Sequence, residues 1–324
     1  MSKNEVTAKL NTTKGNFAKP KRTKNPLKVK LFIFCMLCLP LLQFIVFTVY
    51  VNIDGVLMTL FNVDFSSNEL KFVGLGNYRK FFANFTDKNN ENFIRTITNS
   101  LGYWPIVYLI SIPLQVITAY FLYKKVPAAK FIIVMIFLPN LIPPAVLSQS
   151  FTEMLSIRQG PLNALLMKLM GFNKETVPIW LADEKYAMMI LYIFSVWVGI
   201  GYNATLVWGA MTRTPTEIVE ASHLDGIGFW GEFRHIILPI AWPTISMILI
   251  TSACIPFTMY MHSQLLTNGG QADTGTLALM AVQLLRNGDM YYSATVSVIL
   301  SMVSIPIMLV VKHFLNKIYD DVQV

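Results

Sequence analysis

The sequence predicts an all-α membrane protein with six transmembrane helices. Only 14% of its 324 residues are charged and 54% are hydrophobic, with a mean hydropathy of +0.51, whereas a soluble domain carries roughly 25% charged residues. The apolar residues also fall in long runs without Asp, Glu, Lys or Arg. A bilayer core of about 30 Å requires roughly 20 apolar residues per helix, and six runs meet this need: Leu31–Val51, Thr96–Tyr123, Phe131–Thr152, Tyr186–Thr212, Ile236–Tyr260 and Tyr291–Val311.

The charge distribution predicts the orientation of these spans. Residues 1–30 hold nine Lys or Arg and one acid, a net charge of +8, while the other 294 residues balance at 17 basic and 17 acidic. A basic tail directly before an apolar run holds the N-terminus in the cytoplasm. Six spans then place the C-terminal residues 317–324 in the cytoplasm too, with a permease domain over residues 31–316.

Two spans contain unusual internal residues. The third holds three prolines in Leu138-Pro139-Asn140-Leu141-Ile142-Pro143-Pro144, which predicts a bent or locally unwound helix because proline removes a helical hydrogen bond. A packed kink and an irregular segment lining a wet cavity are both compatible with this pattern. In the fourth span, Gly199 and Gly201 predict a close helix contact, and Asn203 is costly to expose to lipid.

Several activities are disfavoured by missing motifs. Cys35 and Cys38 form a Cys-x-x-Cys, but no further Cys or His in that run completes a site, so both are interpreted as buried apolar side chains. The four histidines are scattered, which predicts no metal site. No glycine is followed by lysine, so a phosphate-binding loop is absent from the sequence. We therefore predict no catalytic residue and no cofactor bound by this chain.

The polar loop at residues 213–239 is the most informative segment. Thr214-Pro215-Thr216-Glu217 matches a capping box and predicts a short helix through about Leu224. Asp225-Gly226 then ends that helix with a glycine at positive φ. Aromatic residues follow in a second short segment, before the chain re-enters the membrane at Ile236: Phe229, Trp230 and Phe233. The two segments could form a knob that docks in a partner's groove, or a hairpin with its aromatics in the lipid headgroups.

This loop resembles the EAA loop of permease subunits of binding-protein-dependent ABC importers. Glu220-Ala221 begins the motif, Ser222 stands where the family usually has a second alanine, Asp225-Gly226 supplies the turn, and Ile236-Ile237-Leu238-Pro239 closes it. In that family the loop meets the ATPase subunit. The resemblance implies an ATPase-coupling role for ten residues: Glu217, Glu220, Ala221, Ser222, Asp225, Gly226, Trp230, Phe233, Leu238 and Pro239.

Three further segments resemble the carbohydrate-uptake branch of this family, the maltose or multiple-sugar type. They are Val73-Gly74-Leu75-Gly76-Asn77-Tyr78, Gly160-Pro161-Leu162-Asn163, and Leu266-Thr267-Asn268-Gly269-Gly270 followed by Thr274 and Thr276. The resemblance implies a type I ABC importer permease fold in a bacterial or archaeal cell membrane. It also implies a second homologous permease, two cytoplasmic ATPase subunits carrying ATP and Mg, and an extracellular solute-binding protein. Membrane lipid and sugar, and no nucleic acid, are the other expected partners.

The predicted function is half of the translocation path for a sugar or oligosaccharide. A glycerol phosphoester or a polyamine is the alternative substrate, disfavoured because the six spans lack charged residues. A membrane enzyme or a scaffold is disfavoured by the absence of catalytic clusters and by the coupling loop. Polar and aromatic residues of the spans and of one external loop are substrate-path candidates, with helix packing as the alternative for each: Asn140, Gln149, Trp197, Tyr202, Asn203 and Gln264.

Overall fold

The computed structural model describes residues 26–64, 69–86, 91–157, 160–171 and 177–318, and the chain divides into two compact units after Asp54. The basic tail therefore lies outside the described residues, except for its last few positions. The first unit holds helix α1 (Pro26–Phe44), a π-helical turn (Ile45–Tyr50) and the start of α2 (Val51–Met58). Together these segments form one apolar helix over Leu27–Met58, long enough to cross a membrane. The predicted first span lies inside it.

The second unit begins with the end of α2 and a β-hairpin, which the sequence did not predict. Strand β1 (Phe61–Asp64) pairs antiparallel with β2 (Glu69–Phe72), with Phe61 opposite Phe72. The Asn77 amide donates to the carbonyls of Thr59 and Phe61, at 3.0 and 2.9 Å. The Val73–Tyr78 motif thus closes the base of the hairpin, and this gives Asn77 a structural role.

The other regular elements among the described residues of this unit are helices. The helices are α3 (Gly76–Thr86), α4 (Glu91–Pro105), a π-helical turn (Ile106–Ser111), α5 (Ile112–Tyr123), α6 (Ala129–Leu141), α7 (Pro144–Met154), α8 (Pro161–Met170), α9 (Ala187–Met211), α10 (Thr216–Leu224), α11 (Phe229–Glu232), a π-helical turn (Phe233–Ile237), α12 (Leu238–Ser252), α13 (Ile255–Thr258), α14 (Met261–Leu266), α15 (Leu277–Arg286) and α16 (Met290–Leu315). Among the described residues, five helical stretches are long and apolar enough to span a membrane, and six if α6 and α7 form one broken span.

The break between α6 and α7 confirms the prediction of a bent or unwound third span. The two helices meet at 109°, and Ile142 and Pro143 between them have extended backbone. Just before the break, α6 passes very close to Gly201 of α9. A Cβ at Gly201 would overlap the carbonyl oxygen of Ile136 and lie 2.8 Å from the Asn140 amide nitrogen. This glycine therefore permits the close helix contact that the sequence predicted.

The other two carbohydrate-type motifs also have structural roles, at the end of the bundle opposite the polar loop. Asn163, which is buried, accepts a hydrogen bond from the indole nitrogen of Trp180 at 2.7 Å. The hydroxyls of Thr267 and Thr274 lie 2.6 Å apart, and Thr276 donates to the carbonyl of Met259. These contacts fold the irregular segments onto the helices.

At the end of the bundle that carries the polar loop, an apolar core joins α5, α9 and α12. Buried members from these helices and the preceding π-helical turn include Val116, Val207, Met211, Ile237 and Ala241. This core provides the rigid base on which the polar loop lies.

Candidate functional site

The first segment of the polar loop forms the helix that the sequence predicted, but without the predicted capping box. Helix α10 begins at Thr216, and no side chain caps its first turn. Extended Pro215 occupies the N-cap position that Thr214 was expected to hold, which explains the difference. At the other end Gly226 has φ +77°, and Ile227 N–H donates to the Ser222 carbonyl at 3.0 Å. This is a Schellman motif, and it confirms the predicted turn.

The second segment differs from the prediction of a separate short helix. Helix α11, the π-helical turn and α12 form one continuous helix over Phe229–Ser252. Pro239 lies at the start of α12 and has no N–H to donate to the preceding turn, a defect that the π-helical turn accommodates without a break. The aromatic segment is therefore the first part of the membrane helix itself, so a displacement of this segment is transmitted directly into the span.

A buried ion pair fixes the loop to the end of α5. The Lys124 ammonium donates to both carboxylate oxygens of Glu232, at 3.1 and 2.9 Å. The Glu232 side chain is 1% exposed and that of Lys124 is 26% exposed. His223 of α10 lies 2.9 Å from the same carboxylate through its Nε2. One carboxylate therefore joins three segments: the end of α5, the first loop helix and the start of the helix over Phe229–Ser252.

Tyr120 reinforces this connection one turn earlier on α5. Its hydroxyl donates to the Phe229 carbonyl at 2.8 Å, and its ring lies 4.8 Å from the ring of Phe229 and 4.7 Å from that of Phe233. Sequence reasoning did not identify Tyr120, Lys124, Glu232 or His223 as members of this connection. Charge is the feature of the sequence that could have identified two of them. Glu232 is the single acid of the second segment, and Lys124 is the first of three lysines in the turn at 124–130.

The ten predicted coupling residues divide between two faces of the loop. Six of them are exposed: Glu217, Glu220, Ala221, Asp225, Gly226 and Trp230. Leu224, 90% exposed, adds an apolar side chain to the outer face. The other four are buried or half-buried against the bundle: Ser222, Phe233, Leu238 and Pro239. The loop is thus a knob whose exposed coupling candidates are acidic, small or aromatic, and whose inner surface is bonded to the helices.

The substrate-path candidates do not form one site within this chain. Asn140 donates to the Val198 carbonyl at 3.3 Å and lines a cavity of about 230 Å³ at the α6–α7 break. Gln149 is bonded to Glu153, and Trp197 stacks on Phe151 with ring centres 5.8 Å apart. Asn140 is the one candidate of the six that lines this cavity; the other five lie outside it: Gln149, Trp197, Tyr202, Asn203 and Gln264.

His262 also lines this cavity, and burial lowers its pKa to about 4, so that its imidazole is neutral. A neutral ring offers one donor and one acceptor to a polar ligand. No group of three or more His, Cys, Asp or Glu able to hold a metal lies within the described ranges.

Known proteins with similar sequences are transport permeases. The chain is 28% identical over 276 residues to the arabinooligosaccharides transport system permease protein AraP of Bacillus subtilis. The aligned region covers 83% of this chain and 83% of AraP. It is 29% identical over 244 residues to the maltodextrin transport system permease protein MdxF of the same organism, covering 70% of this chain and 54% of MdxF. No protein-family model matches the chain.

A solved structure has the same fold. It is a bacterial alginate ABC transporter in complex with an alginate pentasaccharide-bound periplasmic protein, with a TM-score of 0.75 and 19% identity over 93% of this chain and 99% of that one. Together, the fold and the relatives define a membrane transport permease. More particularly, the relatives are sugar transport permeases, and they support the carbohydrate-uptake branch of ABC transporter permeases that the sequence motifs predicted.

Proposed function

We propose that this chain forms half of the translocation path of an ATP-driven importer for a sugar or oligosaccharide. The observation that carries this proposal is the two-faced loop, whose inner face is ion-paired to α5 through Lys124 and Glu232 while its outer face is exposed. Relatives named for arabinooligosaccharides and maltodextrin, and the alginate transporter of similar fold, support an oligosaccharide substrate.

The assembly that fits this role contains a second homologous permease, two cytoplasmic ATPase subunits and an extracellular solute-binding protein. ATP and Mg are bound by the ATPase subunits, and this chain binds no cofactor. The chain spans a bacterial or archaeal cell membrane six times, with α6 and α7 counted as one broken span and both termini in the cytoplasm. The polar loop at residues 213–239 then faces the cytoplasm, where the ATPase subunit can reach it.

The loop is suited to transmit the movement of the ATPase subunits. When ATP closes those subunits, a partner bound to the outer face would draw α10 with it. Because Glu232 is bonded to His223 and Lys124, this displacement reaches the start of the fifth span and the end of α5 together. Both helices pack against α9, which carries Trp197, Tyr202 and Asn203. We therefore assign these three residues, with Asn140, Gln149 and Gln264, to the substrate path.

The test uses the complete transporter, purified from cells that co-express this chain with its partner permease and ATPase subunits. ATPase activity is measured alone, with unliganded binding protein, and with binding protein loaded from a panel of oligosaccharides. We expect loaded binding protein to stimulate hydrolysis, and uptake into proteoliposomes to follow the same sugars. Stimulation by a phosphoester or a polyamine, and by no sugar, would contradict the substrate class. Failure to co-purify with an ATPase subunit would contradict the coupling role.

A further inference from the structure

The turn between α5 and α6 forms a groove separate from the coupling loop's outer face and from the substrate path. Its volume is about 580 Å³, within the range of about 300–1,000 Å³ typical of small-molecule sites. Apolar side chains make up most of its wall, and two lysines stand at the turn: Leu122, Val126, Ile133 and Trp208, with Lys125 and Lys130. The groove therefore combines an apolar interior with a basic edge.

Both lysines of this edge are available to an anion. Lys125 and Lys130 are exposed, and neither pairs with an acidic side chain within the part of the chain that the structure describes. Their neighbour Lys124 differs, because it is bonded to Glu232. Of the three lysines in this turn, Lys124 thus holds the polar loop, and Lys125 and Lys130 line the groove.

The location of the groove restricts what can occupy it. The Lys124–Glu232 bond places the turn at the same end of the bundle as the coupling loop, and the apolar wall continues along α5, α6 and α9, which are membrane helices. In the proposed orientation this is the cytoplasmic edge of the bilayer. Basic pockets between membrane helices at that edge suit anionic lipid headgroups, and a tryptophan such as Trp208 favours the membrane–water interface.

We infer that this groove binds one anionic phospholipid, with its phosphate held by Lys125 and Lys130 and an acyl chain lying along Leu122, Ile133 and Trp208. The inference rests on the proposed orientation only for the leaflet from which the lipid comes. A lipid held here lies directly beside Lys124, so it would stabilise the end of α5 to which the coupling loop is bonded.

The test measures quenching of Trp208 fluorescence by bromine on lipid acyl chains. The full transporter is reconstituted in equimolar phosphatidylcholine and phosphatidylglycerol vesicles, in which one or the other lipid is brominated. The Trp208→Phe variant gives the signal of the other tryptophans, and the difference isolates Trp208. We expect brominated phosphatidylglycerol to quench Trp208 more strongly than brominated phosphatidylcholine, with the preference falling at high salt.

Charge variants identify the headgroup site. Lys125→Gln with Lys130→Gln is expected to lower the preference for phosphatidylglycerol by about fivefold per lysine. Lys312→Gln with Lys317→Gln makes the same charge change at the far end of α16 and should leave the preference unchanged. Equal quenching by both lipids, an equal effect of the control pair, or no quenching of Trp208 because a partner subunit covers the groove would overturn the inference. None of these results depends on ATPase stimulation, so failure of the proposed transport function would be recognised separately.

Discussion

Lys124 and Glu232 are 108 residues apart in the sequence, yet the lysine ammonium contacts both oxygens of the carboxylate. The carboxylate is almost completely buried, so its charge depends on Lys124 for compensation, and the His223 ring adds a contact at 2.9 Å. Removing one partner of a buried ion pair costs about 3–5 kcal/mol, mostly because the other charge stays buried. The bond therefore makes the position of the polar loop dependent on the end of α5.

The first prediction follows from this pair. Lys124→Met should leave Glu232 buried without its main partner, lowering the thermal stability of the purified complex and its stimulation by loaded binding protein. The double variant Lys124→Met with Glu232→Met should recover much of the stability, because no charge remains buried. Lys317→Met, at an exposed lysine outside both the loop and the groove, is the matched control. Additive effects of the two single substitutions would show that the pair is not energetically coupled.

The second prediction concerns the contact between α6 and α9. Gly201→Ala places a methyl group against the Ile136 carbonyl oxygen, and overpacking of this kind costs about 1–3 kcal/mol. We expect a lower thermal midpoint of the purified complex. Gly209→Ala adds the same methyl group to the same helix, where nothing lies within 4 Å, and should have little effect. Equal midpoints for the two variants would mean that α6 lies farther from α9 than the structure places it.

The features that could be predicted from the sequence are those set by short stretches of chain. The long uncharged runs predicted membrane helices, the three prolines near Asn140 predicted the break, and Asp225-Gly226 predicted a turn at positive φ. Charge distinguishes Lys124 and Glu232 in the sequence, but their pairing with each other and the Tyr120 contacts could not be predicted, because they depend on how distant helices pack. The β1–β2 hairpin was missed because its four-residue strands are too short to give a periodic pattern.

The third prediction concerns membrane orientation. Gln271 is exposed at the end of the bundle opposite the coupling loop, and Lys317 is exposed beyond the far end of α16. With Cys35, Cys38 and Cys254 replaced, Gln271→Cys should react with an impermeant thiol reagent in intact cells, whereas Lys317→Cys should react only after permeabilisation. The basic tail is the physical reason. The reverse labelling pattern would invert the proposed orientation.

The fourth prediction concerns Asn203, which is half-buried in α9 and makes no side-chain hydrogen bond among the described residues. Asn203→Leu makes the span more apolar, so insertion should be retained, while uptake at sub-saturating sugar should fall because a polar group of the path is lost. Thr205→Val is the control, since the Thr205 hydroxyl is already bonded to the Gly201 carbonyl. Uptake equal to wild type would leave helix packing as the role of Asn203.

The last prediction tests the coupling loop itself. A side chain added at Gly226 meets no atom within 4 Å, but the φ of +77° at this position is a conformation that β-branched residues resist. Gly226→Val should therefore distort only the turn, displacing α10 and its exposed Glu220 relative to Trp230. The membrane helices do not depend on this turn, so the complex should assemble normally.

We expect this variant to lose sugar uptake and the stimulation of ATPase activity by loaded binding protein together, with Gly226→Ala intermediate between it and wild type. Gly228 provides the control, because a Cβ there also meets open space while its φ is −78°; Gly228→Ala should retain both activities. The decisive measurement is ATPase activity of the purified complex with and without loaded binding protein. Full stimulation of the Gly226→Val complex would refute the assignment of residues 213–239 as the coupling loop, since a partner that ignores the geometry of this turn cannot drive the helices through it.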